Sequence, residues 1–138
     1  MGQTPETGQA GNNFGHRMGE HVAKRLGTQL LETGTGSNEA IYDGERVILK
    51  SAHKNTSSIG VTINVLETVQ AIIATFEDKN KSSQNLHHYT IYRVSFNWYK
   101  EHMKPSRANE RASRTTMMVT RSSIRKEGKV IGEFECDF

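Results

Sequence analysis

The sequence predicts a mixed α/β or α+β domain, a β-sheet flanked by helices, on three observations. An apolar stripe of helical period begins at Phe14, an Asp43-Gly44 pair divides two segments of strand propensity, and helix-like and strand-like segments then alternate towards the C-terminus. With 138 residues, 34% of them apolar, the chain suits one domain whose core needs neither disulfides nor a structural metal. Cys136 is the single cysteine, which points to a reducing, cytoplasmic setting. No apolar run is long enough to span a membrane, and the N-terminus lacks the basic-then-apolar pattern of a signal peptide.

Taken in order, residues 1–13 are Gly, Gln, Thr and Asn with almost nothing to bury, and read as a flexible arm before a domain over 14–138. Phe14, Met18, Val22, Leu26 and Leu30 recur every fourth residue and predict a first helix that gives way near Gly27 or beyond Leu31, before the breakers of 33–37. The segments 38–42 and 45–52 flank Asp43-Gly44, a pair tolerant of positive φ, and predict a hairpin. After a polar loop, Val65, Leu66, Val69, Ile72, Ile73 and Phe76 fall on one helical face over 64–77, with Asn64 and Glu67 spaced as a capping box. Residues 86–94 are aromatic and β-branched, hence a strand; Ser95 then caps a short helix with Phe96, Trp98, Tyr99 and Met103, stopped by Pro105. Residues 106–114 read as a charged, mobile segment, 116–120 as a strand, and 122–127 and 129–135 as short closing elements.

Charge is unevenly spread. The formal net charge is +3, yet between Lys100 and Lys129 nine basic side chains face three acidic ones, leaving the remainder net acidic. A basic third beside an acidic body suits a phosphate-backbone binder whose acids hold a cation; it equally suits a solvated surface. In the hairpin, Glu39 opens one strand and Lys50 lies on the other. In metal-dependent phosphodiester hydrolysis a carboxylate-bound cation activates water and offsets charge on the phosphate, and a Lys can position or deprotonate that water; an acid followed about ten residues later by Lys is the minimal set for that chemistry.

Ser37-Asn38-Glu39-Ala40-Ile41 and Val47-Ile48-Leu49-Lys50-Ser51 resemble the two halves of the active-site hairpin of the PD-(D/E)XK nuclease superfamily, in particular its type II restriction endonucleases. The resemblance covers roughly residues 15–105. It implies a restriction-endonuclease-like fold, a DNA endonuclease cutting double-stranded DNA with Mg2+ or Mn2+, and a homodimer. Glu39 takes the place of the usual Asp, and Ile48 stands where the second metal-binding acid belongs. The resemblance therefore implies a metal on Glu39, the Leu49 carbonyl and a displaced carboxylate from Glu20 or Glu67, with Lys50 catalytic; without such a carboxylate it implies a degenerate fold that binds nucleic acid or a protein. Glu67 also suits a helix N-terminus as a capping residue, and Glu20 falls outside the apolar stripe.

For nucleic-acid contacts, Arg107, Arg111 and Arg114 are the leading candidates, joined by Arg121, His53 and Lys54. His87 and His88 are adjacent, so a strand sends them to opposite faces and they cannot share a metal. Phe96, Trp98 and Tyr99 suit packing against the sheet better than stacking on bases.

Overall fold

The computed structural model describes residues 5–32 and 37–138, with side chains from Phe14 onward. Among the described residues five helices, α1 (Pro5–Arg25), α2 (Ile63–Leu66), α3 (Phe96–His102), α4 (Glu110–Thr115) and α5 (Arg121–Glu127), are interleaved with eight strands. The strands are β1 (Glu39–Tyr42), β2 (Glu45–Ala52), β3 (Ser58–Thr62), β4 (Ala71–Glu77), β5 (His87–Ser95), β6 (Lys104–Pro105), β7 (Thr116–Thr120) and β8 (Lys129–Cys136). They form a five-stranded sheet in the order β1-β2-β4-β5-β8 and a three-stranded sheet in the order β3-β7-β6. The fold is α+β.

Side chains alternate along a strand, so the large sheet has two distinct faces. One packs Val47, Leu49, Ile73 and Ile91 against Met18 and Val22 of α1. The other packs Ile48, Ile72, Phe76 and Val94 against Ile59, Val61 and Val119 of the small sheet, with Tyr99 of α3 and Ile124 of α5. The core thus lies in two slabs on either side of the five-stranded sheet.

The expected hairpin is present. Tyr42 pairs with Glu45 across a two-residue turn in which Asp43 (φ 53°) and Gly44 (φ 76°) both adopt the left-handed conformation. The first helix also follows its stripe, with Met18 and Val22 buried, and ends at Arg25 before Gly27 (φ 79°). It begins at Pro5, so 5–13, read from composition as an arm, is helical; residues 1–4 lie outside the described residues. Ser95 caps α3 by accepting from the Trp98 N–H at 3.1 Å, as its sequence predicts.

The helix expected over 64–77 is not formed. Only Ile63–Leu66 is helical, and Ala71–Glu77 is a strand with all seven residues buried. β4 runs between parallel β2 and antiparallel β5, with both faces covered, and a strand so placed has a continuous apolar run instead of an alternating one. The i, i+4 spacing of Val65, Val69 and Ile73 is thus a coincidence of two elements. Ile59 and Val61, given no element in the sequence reading, belong to β3, and part of the segment read as mobile is α4, capped by Asn109 accepting from the Ala112 N–H at 2.7 Å. The connection between parallel strands β2 and β4 runs through β3 and α2, which brings the small sheet over the hairpin.

Candidate active site

The hairpin register decides which side chains share a face. Glu39 pairs with Ile48, and Lys50 lies two residues further along β2, so Glu39, Ile48 and Lys50 all project towards the small sheet. Glu39 and Lys50 are diagonal neighbours, whose backbones sit about 7–8 Å apart in an antiparallel pair. Around Glu39 the backbone is tied on both sides: its carbonyl accepts from the Leu31 N–H at 2.7 Å, and Asn38 O accepts from the Leu49 N–H at 2.8 Å. Asn38 also donates from its side chain to Gly15 O at 2.9 Å; Gly19 is needed beneath it, since a Cβ there would lie 2.7 Å from the Asn38 amide. These contacts lock the strand start to α1.

Glu39 is only 2% exposed, and its Oε1 accepts from Arg46 Nε at 3.1 Å and lies 3.0 Å from Arg46 Nη2. It lines a cleft of about 370 Å3 with Glu32, Arg46, Asn64 and Thr68. Lys50 lies alongside Ala74 of β4, and burial lowers its ammonium pKa below the usual lysine range. Among the described residues its ammonium has neither an ion-pair nor a hydrogen-bond partner.

Ile48 is a core residue, 1% exposed and packed in the slab that holds Val61 and Val65. Leu49 is buried in the opposite slab with Met18 and Val22. Glu20 sits on α1, across the sheet from the Glu39 face, and its exposed carboxylate lies 2.8 Å from His16 Nε2. Glu67 is the exposed C-cap of α2, not the third residue of a longer helix, and does not line the cleft. The carboxylate that does share the cleft with Glu39 is Glu32, which the sequence analysis passed over. It is brought there by the Leu30–Ala40 bridge, a tertiary pairing with no local sequence signal.

The basic candidates divide into two groups. Arg121 donates to Lys54 O at 2.7 Å, and the Lys54 N–H donates to Glu77 at 3.3 Å, so these two residues tie loops to the sheet. His53 stacks on Phe14 at 3.8 Å and lies 3.5 Å from Glu77 Oε1. By contrast, Arg107, Arg111 and Arg114 are exposed. Arg111 and Arg114 line a groove with Thr62, Asn64 and Thr115, and Asn64 is shared with the Glu39 cleft, so the groove and cleft adjoin. Arg114 approaches Glu110 only at 3.9 Å in solvent, a contact of little energy.

At the far end of the sheet, His87 donates from Nδ1 to Glu77 at 2.8 Å and His88 to Asp78 at 2.6 Å, on opposite faces as their adjacency requires. Burial pushes the Glu77 carboxyl up, but hydrogen bonds from His87, Ser82 and the Lys54 N–H outweigh it and hold the pKa below its ordinary value. Burial, with Glu77 nearby, raises the Tyr89 phenol well above its usual range. None of the described helices is long and apolar enough to cross a membrane. Comparison of the chain with protein-family models, with curated proteins and with solved structures gives no match.

Proposed function

We propose that the protein is a metal-dependent nuclease of the PD-(D/E)XK type, acting on double-stranded DNA in the cytoplasm as a homodimer. The observation that carries this reading is the placement of a buried carboxylate, Glu39, and a desolvated ammonium, Lys50, on one face of the hairpin, without an ion pair between them. The adjoining groove of Arg111 and Arg114 supports a polyanionic substrate.

The donor set of the cleft is two carboxylates, Glu32 and Glu39, with the Asn64 amide and the Thr68 hydroxyl, the hard oxygen ligands that Mg2+ or Mn2+ takes with water completing the shell. When bound, such a cation acidifies water and offsets charge on a phosphate. Lys50, whose pKa is lowered by burial, holds its proton less firmly than a solvated lysine and is suited to exchange one with the attacking water. Arg46 is half exposed and can turn from Glu39 to a phosphate in the same cleft.

A second reading, a nucleic-acid binder without catalysis, is favoured by Ile48, whose side chain gives its place to core packing, and by Arg46, which already neutralises Glu39. Incubation with plasmid DNA in Mg2+ or Mn2+, with EDTA as control, separates the two. Cleavage lost in both Glu39→Gln and Lys50→Ala supports the nuclease; DNA retention without cleavage under every condition supports the second reading.

A further inference from the structure

Arg46 and Arg93 of the large sheet and Arg125 of α5 are engaged, with Glu39, Glu45 and Asp78 respectively. Lys104 and Arg107, on the connection between α3 and α4, have no ion-pair or side-chain hydrogen-bond partner among the described residues. Both line a cavity of about 490 Å3 against β7, a volume typical of small-molecule sites. No carboxylate lines it. Its other walls carry the hydroxyls of Ser58, Thr120 and Ser123, the apolar side chain of Met118 and the imidazole of His102. That ring is held in place: it stacks on Trp98 at 4.1 Å, its Nδ1 donates to Trp98 O at 2.8 Å, and its Nε2 lies 3.3 Å from Glu127 Oε2, a carboxylate outside the cavity lining.

We propose that this cavity binds a nucleoside phosphate, with Lys104 and Arg107 on the phosphate, the hydroxyls on the sugar, and His102 and Met118 against the base. Glu110 shares a neighbouring groove with Lys104 and Arg107 but forms no ion pair with either, so two cations on a lining without carboxylates favour an anion, and hydroxyls beside an aromatic and an apolar wall suit a sugar and a planar ring. The frame is built before any ligand arrives. Tyr99 of α3 donates from its hydroxyl to Met117 O at 2.7 Å, Ser106 is buried with its N–H donating to Thr116 O at 3.0 Å, and its hydroxyl accepts from the Ala108 N–H at 3.3 Å. The cationic segment is thus pinned to β7, which lowers the ordering cost of binding. The pocket stands apart from Glu39 and does not rest on the nuclease reading.

The test is calorimetric titration of the full chain, in EDTA to silence any metal site, with AMP, adenosine and inorganic phosphate. The expected result is saturable AMP binding at least about tenfold tighter than either fragment, since charge-assisted contacts and ring contacts each contribute on that scale. Lys104→Gln with Arg107→Gln should weaken it by about tenfold or more, while Arg111→Gln with Arg114→Gln leaves it unchanged. A short oligonucleotide with and without a 5′-phosphate identifies the source: preference for the phosphorylated form assigns the pocket to a strand end, and equal binding assigns it to a free nucleotide. AMP that fails to saturate, that binds no better than phosphate or adenosine, or that binds the double variant as well as the wild type overturns the proposal. If the double variant does not fold, AMP-induced amide shifts in the wild type decide: shifts centred on Ser58, Met118 and Ser123 support the pocket, and shifts elsewhere overturn it.

Discussion

Glu39 is both a candidate reactive group and a structural one, because its buried carboxylate satisfies the Arg46 guanidinium. Truncation to Ala therefore mixes two losses, and Glu39→Gln is the cleaner probe. It keeps the shape, and because Arg46 can reach water the expected loss of stability is only about 1 kcal/mol by denaturant unfolding, against abolition of metal-dependent cleavage. Thr75 presents the opposite case: its hydroxyl is buried in β4 without a hydrogen-bond partner among the described residues. Thr75→Val removes the orphaned group at nearly constant shape and should raise stability by about 1 kcal/mol, read from the urea midpoint. Glu77 sets an acid limit. Its folded pKa lies below the ordinary 4.5, so its contribution to stability is present above that pH and is lost as pH falls through the folded value. Glu77→Gln should flatten the fall in unfolding free energy as the pH drops below 4.5; an unchanged pH profile would show that Glu77 makes no such contribution.

At the scale of elements, the hairpin was legible because its turn chemistry is local: only Asp43-Gly44 in that stretch tolerates two successive left-handed residues. Gly44→Val should cost about 1–2 kcal/mol through backbone strain alone, as nothing lies within 4 Å of a Cβ built there; a neutral result by thermal unfolding would remove the turn from the causes of the register. β4 was not legible, because a strand covered on both faces and a buried helix present the same apolar run. The β-branched pair Ile72-Ile73 and the short length favour a strand, but the decision belongs to β2 and β5, which take its backbone hydrogen bonds. Glu67 lost its expected helix position with that change, and α2 ends where the chain turns to enter β4.

Across the whole molecule, the adjoining cleft and Arg111–Arg114 groove make one face electrostatically distinct. DNA on this face should neutralise phosphates with Arg111 and Arg114, so replacing each by Ala should weaken binding to all sequences alike and reduce the slope of log K against log salt by about 1 per residue. Filter binding across a salt series checks this, and unchanged slopes would move the DNA path elsewhere. Arg121, included with these residues on sequence grounds, should leave the slope unaltered, because its guanidinium donates to Lys54 O.

Local chemistry in the sequence was enough for the α+β class, the first helix, the hairpin, the Ser95 cap and the basic character of the C-terminal third, since each depends on neighbours within a few residues. Pairings between distant segments decided the rest. The Leu30–Ala40 bridge places Glu32 rather than Glu20 or Glu67 beside Glu39, and the split into two sheets sinks Ile48 into a core slab. The long connection through β3 and α2 carries Asn64 between the carboxylates and the arginines. Spacing along a chain states which side chains can share a strand face, whereas which segments meet across it is set by the burial of apolar surface over the whole fold.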